Sequence, residues 1–228
     1  MAVNRTVVIA VDGPAASGKG TLARRLAAHF GYAHLDSGLL YRATALRLLR
    51  RGDDPGSEAA AVDASRGITA ADLGDAALRG DEVAAAAGVV AAFAGVRAEL
   101  RQFQLDFIAR PPGGEAGPAT GPPAGVVMDG RDIGTVICPG ADVKIFVEAS
   151  PETRAKRRLK ELRERGVESI YSGVLQDMKE RDARDRGRRV APLVPAQDAY
   201  LLDTTELDAD AAFAAVLEFI NTRNMPKG

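Results

Sequence analysis

Cysteine is nearly missing from this sequence. Cys138 is the one thiol in 228 residues, so no disulfide can close within the chain, and with two histidines it leaves no Cys/His set for a structural metal. Tryptophan is absent and aromatic residues make up only 5%. An excess of either charge is also lacking: 30 Lys and Arg stand against 31 Asp and Glu, a net charge of -1. That balance argues against coating nucleic acid or anionic membrane by bulk electrostatics, so any basic function must come from local clustering. No apolar run approaches the roughly 18 to 20 residues of a membrane span. Val7 to Val11 is only strand length, and no charged segment leads into a signal-like core. These absences predict one ordinary soluble domain in a reducing cytoplasm, with a core large enough to need no staple.

What is present is an α/β rhythm. Thr6 to Val11 is β-branched and apolar and stops at Asp12-Gly13, as a strand buried on both faces does. Lys19 to Phe30 repeats apolar residues at helical spacing until Gly31 ends it. Further buried strands are expected at Val126 to Asp129, Val143 to Val147 and Tyr200 to Asp203, with a weaker one at Ala33 to Asp36. Helices are expected at Leu39 to Arg51, within Val89 to Ala109, at Pro151 to Arg165, Leu175 to Arg186 and Ala209 to Asn221. Ser150 followed by Pro151 is a strong helix start. Two stretches break the rhythm: Asp53 to Gly88, rich in Ala, Gly and Asp, predicts an inserted subdomain or mobile lobe. Pro111 to Gly125 has nothing to build a core and predicts a surface loop.

The chemistry begins after the first strand. Gly13-Pro14-Ala15-Ala16-Ser17-Gly18-Lys19-Gly20-Thr21 fits Gly-x-x-x-x-Gly-Lys, a turn whose backbone N–H groups converge on phosphate at a helix start while the lysine reaches round it. Gly20 stands where many such loops place a magnesium-ligating hydroxyl, and Thr21 follows one residue later. Metal help would then come mostly from phosphate oxygens, water and a carboxylate, and Asp129, closing a buried strand, is the candidate. No guanine-reading motif is visible, so ATP is the expected donor.

A second anion site is needed if phosphate passes to another nucleotide rather than to water. Ser37 and Arg42 lie about one turn apart at a helix start, and Arg131 follows Asp129 closely. Arginine's planar fork suits phosphate oxygens. Between Pro151 and Val190 thirteen Lys and Arg face eight Asp and Glu, a local +5. A solvated helical hairpin with i,i+4 pairs would account for it. Nucleic-acid stacking is poorly served, since Tyr171 is the lone aromatic residue there. An arginine-rich lid closing over a transferring phosphoryl group accounts for it better.

The segments GPAASGKGT, LDSGLLYR, DGRDIGTVICPGADVKIFVEAS and KERDARDRGRRVAPLVPAQDAYLLDTT together resemble the bacterial cytidylate (CMP/dCMP) kinases, over nearly all of the chain outside the two irregular stretches. The resemblance implies a single three-layer domain over residues 1–228 of the P-loop kinase type. It would have a five-stranded parallel sheet, a CMP-binding insert at 53–88 and a helical lid at 154–186. It also implies ATP and Mg2+, with Asp129 acting through water and Thr21 beside it. Ser37 and Arg42 match the monophosphate site, and Arg97 the position that approaches cytosine. Asp132, Arg181, Asp185 and Arg188 match positions around pentose, base and phosphates, while Arg131 and Arg157 or Arg158 would serve the phosphates. A position able to offer serine to the base is Gly88 here, and the insert is short. The implied partners are CMP and dCMP, with neither nucleic acid nor membrane, for a cytoplasmic monomer. Another small acceptor, such as UMP, AMP or shikimate, and an ATP-driven switch are the alternatives.

Overall fold

The computed structural model describes residues 5–112 and 124–223. Most of the expected loop at Pro111 to Gly125 lies outside the described residues. The chain forms two compact units, residues 1–34 with 112–228, and Leu35–Pro111.

Five strands form one sheet in the order β2-β3-β1-β4-β5, where β1 is Val7–Asp12, β2 Ala33–Asp36, β3 Gly125–Gly130, β4 Val143–Glu148 and β5 Tyr200–Asp203. The pairs β1–β3, β1–β4 and β4–β5 are parallel. Every residue of β1 and of β3 is buried, which is why both read as unbroken apolar runs rather than alternating ones. The boundary between the units falls inside β2.

The first unit packs α1 (Lys19–Phe30) and α8 (Ala209–Thr222) on the sheet. Leu22, Leu26, Val216 and Ile220 meet Ile9, Val11, Val127 and Ile145 in one core. Two further helices, α6 (Pro151–Glu164) and α7 (Tyr171–Gly187), close on each other through Ala155, Leu159, Leu162, Val174 and Met178. Ser150 caps α6 by accepting the Thr153 N–H at 3.2 Å, with Pro151 at the first helical position. Helix α7 begins four residues before the expected Leu175, because Tyr171 and Val174 have an apolar partner in α6 that periodicity alone does not reveal.

The second unit is helical: α2 (Gly38–Arg51), α3 (Glu58–Ser65), α4 (Asp81–Val90) and α5 (Ala94–Ala109), with short 3₁₀ turns at Ala70–Gly74 and Ala76–Arg79. The stretch 53–88, expected to be an inserted subdomain or mobile lobe, supplies α3 and most of α4. Its alanines 61, 64, 86 and 87 are buried with Leu78, Val83 and Val90 against Leu40 and Leu48 of α2. Alanine is the strongest helix former, and its small side chain lets helices approach closely, so a low-contrast sequence still packs. Among the described residues no single helix is long and apolar enough to cross a membrane.

Candidate active site

The phosphate loop is built by backbone exclusion. Gly13 has φ 152°, and a Cβ there would lie 2.0 Å from the Val147 carbonyl oxygen, so no side chain fits. Ala16 and Gly18 also take left-handed conformations, at φ 57° and 93°. Gly18 leads into α1 without any side-chain cap, and the first turn of the helix carries no acid. The opening N–H groups of α1 are therefore left without a side-chain cap, the state in which a helix start takes an anion. Lys19 Nζ folds back to the Pro14 carbonyl at 3.5 Å, and the Ser17 hydroxyl is buried with no hydrogen-bond partner among the described residues.

Behind the loop, Thr204 ties three segments together. Its Oγ1 lies 2.9 Å from the Ser17 carbonyl and 3.1 Å from that of Glu148, so one hydroxyl proton is shared between β4 and the phosphate loop. Arg157 joins them, donating from Nη1 to Thr204 Oγ1 at 3.0 Å and from Nη2 to the Thr204 carbonyl at 2.6 Å. Its Nη1 also reaches the Ser17 carbonyl at 3.4 Å. Arg157, expected to serve the phosphates, thus spends its guanidinium on backbone carbonyls beside the loop. Arg158 pairs with Glu161 at 2.8 Å. A cleft of about 230 Å³ opens here, lined among others by Gly18, Thr21, Arg157, Thr204, Leu207 and Asp208. Asp208 itself caps α8, accepting the Asp210 and Ala211 N–H groups. Thr204 and Leu207 were not legible in the sequence as site residues, since a threonine in a strand-to-helix loop carries no motif.

Asp129 is buried at the end of β3. Its Oδ1 lies 2.8 Å from His34 Nε2, and its Oδ2 lies 3.6 Å from where a Cβ on Gly20 would stand, next to the phosphate loop. His34 is an addition to the expected set; its only signal was the alternation of Ala33-His34-Leu35-Asp36, which puts the imidazole on one face of β2. Among the described residues no three His, Cys, Asp or Glu are grouped to hold a metal. A single carboxylate suits Mg2+, which keeps most of its water and takes few protein ligands; the Thr21 hydroxyl accepts Arg24 Nη2 at 3.4 Å.

The second cluster gathers on Asp185. Its Oδ2 accepts Arg131 Nε at 3.0 Å and its Oδ1 accepts Arg188 Nη2. Burial pushes the Asp185 carboxyl up, but Arg131, Arg188 and Arg181 outweigh it and hold the group below the usual carboxylate range. Asp185 therefore fixes the arginines as a set. Next to them, Asp132 is buried where the chain leaves β3. A one-turn π-helix over Ile133–Ile137 follows, an element no local pattern announced. Asp12 faces it, its buried carboxylate accepting the Ile133 and Gly134 N–H groups at 2.9 and 2.8 Å.

The remaining expected residues belong to the second unit. Ser37 is buried at the start of α2 without capping it. Arg42 Nη1 donates to the Leu78 carbonyl at 2.7 Å. Arg97 is buried, reaches the Ala91 carbonyl at 3.4 Å and stands 5.6 Å from the centre of the Tyr41 ring, a cation–π distance.

The family model for cytidylate kinase matches residues 9–222. A cytidylate kinase of Paramagnetospirillum magneticum is 57% identical over 218 residues, covering 96% of this chain and 99% of the relative. Another, of Methylocella silvestris, is 54% identical over 216 residues, covering 95% and 94%. Among solved structures, an uncharacterized protein from Eubacterium ventriosum aligns with a TM-score of 0.55 at 14% identity, over 96% of this chain and 100% of that one. TT1252 from Thermus thermophilus gives 0.51 at 17%, over 97% and 99%. These two likenesses concern the fold alone.

Proposed function

The chain belongs to the cytidylate kinase family, and from that premise we propose that it transfers the γ-phosphoryl group of ATP to CMP and dCMP, giving ADP with CDP or dCDP. The observation that carries the reading is the left-handed Gly18 turn, which opens α1 without a side-chain cap next to the buried Asp129 carboxylate. Such a helix start receives the donor's phosphates, with Lys19 swinging onto them from the Pro14 carbonyl.

No residue need act as general base, because a CMP phosphate oxygen is already nucleophilic at neutral pH. Catalysis is alignment and charge neutralisation. Asp129, through water, and Thr21 would hold Mg2+, which supplies neutralisation at the β- and γ-phosphate oxygens when bound. Arg131 and Arg188, spaced by Asp185, and Arg181 beside them, supply positive charge where phosphate passes over. Arg158, and Arg157 once released from its carbonyls, could add to it. In this reading Ser37 and Arg42 hold the acceptor's phosphate and Arg97 its cytosine, while Asp132, Arg181, Asp185 and Arg188 serve its pentose, base and phosphates. CMP and UMP differ at one base edge, an amino donor against a carbonyl acceptor. One such mismatch against a buried partner costs about 1 to 3 kcal/mol, roughly 5- to 150-fold. The reading includes a monomer working in a cytoplasm, consistent with a chain holding one cysteine.

The test is ADP release from ATP and Mg2+ by the purified protein, with CMP, dCMP, UMP, AMP, GMP or shikimate added singly. Fast turnover is expected with CMP and dCMP alone. Preference for another acceptor would sink the assignments of Arg97, Asp132, Asp185 and Arg188, and ADP release indifferent to every acceptor would point to a switch.

A further inference from the structure

Asp12 is the last residue of β1 and the neighbour of Gly13, the first residue of the phosphate loop. It is 5% exposed. In register it pairs with Gly130 of β3 and Phe146 of β4, so its backbone is fixed from both sides. Its carboxylate crosses to the chain that leaves β3, where Oδ1 accepts the Ile133 N–H at 2.9 Å and Oδ2 the Gly134 N–H at 2.8 Å. These are the first two amides of the π-helix. Later amides of that turn are satisfied within it: Val136 and Ile137 N–H reach the Asp132 carbonyl and Cys138 N–H that of Ile133. The leading amides of any helix lack such partners, and here one side chain supplies both.

The same two bonds fix the residues just before them. Arg131 and Asp132 lie between Gly130, held in the sheet opposite Asp12, and Ile133, held by the Asp12 carboxylate. Two residues anchored on both sides have little freedom left. Arg131 then meets Asp185 at 3.0 Å from the place this anchoring sets. An apolar residue at position 12 would have matched the rest of β1 and avoided burying a charge, and so position 12 gives up burial energy for those two bonds.

We propose that Asp12 is a positioning residue for phosphoryl transfer: through the Ile133 and Gly134 amides it sets Arg131 and Asp132 against the phosphate loop that begins at Gly13. The inference rests on the kinase reading for the roles of Arg131 and Asp132. Asp12 touches neither nucleotide; it acts through the loop. Alignment errors of an ångström cost on the order of 100-fold in rate, whereas donor binding at the α1 helix start does not pass through Ile133 or Gly134.

The experiment is steady-state kinetics of Asp12→Asn beside the wild type, Arg131→Lys and the double variant. Asparagine has the same shape but one acceptor oxygen for two donors, and its amide nitrogen faces an N–H. The expected result is a fall in kcat with CMP of about 10- to 100-fold, an ATP KM changed by less than about 3-fold, and losses that do not multiply in the double variant. A kcat within about 2-fold of wild type, multiplying losses, or a loss confined to the ATP KM would each overturn the proposal. Should Asp12→Asn not fold, Asp12→Ser takes its place with the same readouts; failure of both to fold also overturns it, since Asp12 would then hold the fold and not the alignment. Failure of the kinase reading itself looks different, because the wild type would then show no CMP-dependent ADP release.

Discussion

Arg154 and Asp182 form a two-pronged ion pair between α6 and α7, Nη1 to Oδ1 at 3.1 Å and Nη2 to Oδ2 at 2.6 Å. Both are buried, and Arg154 uses its Nε on the Ala149 carbonyl at 2.9 Å and again its Nη1 on that of Ala15 at 3.4 Å. Its guanidinium is matched by Asp182 and by backbone carbonyls, so this arginine of the basic hairpin is structural. Removing one partner strands the other charge away from water. Arg154→Met or Asp182→Asn should therefore lower unfolding free energy in urea by about 3 to 5 kcal/mol. Lys160→Ala, whose exposed ammonium stands 3.9 Å from Glu164, should change it by less than about 1 kcal/mol. Equal losses from the two would contradict the assignment.

The proposed reading gives Lys19 to ATP and Arg188 to CMP. Lys19→Met should cut ADP formation by at least about 100-fold with weakened ATP binding and intact CMP binding, and Arg188→Met should do the reverse. Equilibrium dialysis with each labelled nucleotide separates the two effects. Near-wild-type kinetics in either variant removes that residue from the site.

Stability should depend on pH with two opposite signs. Asp185 is held low by its arginines despite burial, so its contribution is present above the unfolded carboxylate pKa of about 4 and disappears as pH falls through the lower folded value. Asp12 is pushed up from 3.8 to about 6, chiefly by burial, with Asp132 adding to it and the two backbone bonds and Arg131 opposing. Its ionised form therefore costs stability, and the cost appears as pH rises from about 4 to 6. At about 1.4 kcal/mol per pH unit that is about 3 kcal/mol by neutrality. Asp12→Asn lacks the ionisation, so it should gain about 3 kcal/mol on the wild type between pH 4 and pH 7.5 in urea titrations. A gap that stays constant across that range would count against a buried, raised carboxyl.

The sequence by itself determined the five strands, the phosphate loop and the family. Each rests on local patterning: unbroken apolar runs such as Val126-Val127-Met128, a glycine-rich turn whose conformation admits little else, and contiguous motifs. Ser150 before Pro151 located α6 for the same reason, since a cap is a property of neighbouring residues. Tertiary structure alone decided what the charged and polar side chains do. Nothing local distinguishes Arg154, locked to Asp182, from Arg131, which meets Asp185 beside Asp132, because partners 28 and 54 residues away choose between them. In the sequence Asp12 only ends a strand and His34 only sits within a weaker one; contacts 121 and 95 residues distant made one the anchor of Ile133 and the other the partner of Asp129. Periodicity records which face of an element is buried, whereas the partner that a buried charge finds there depends on how distant segments come together.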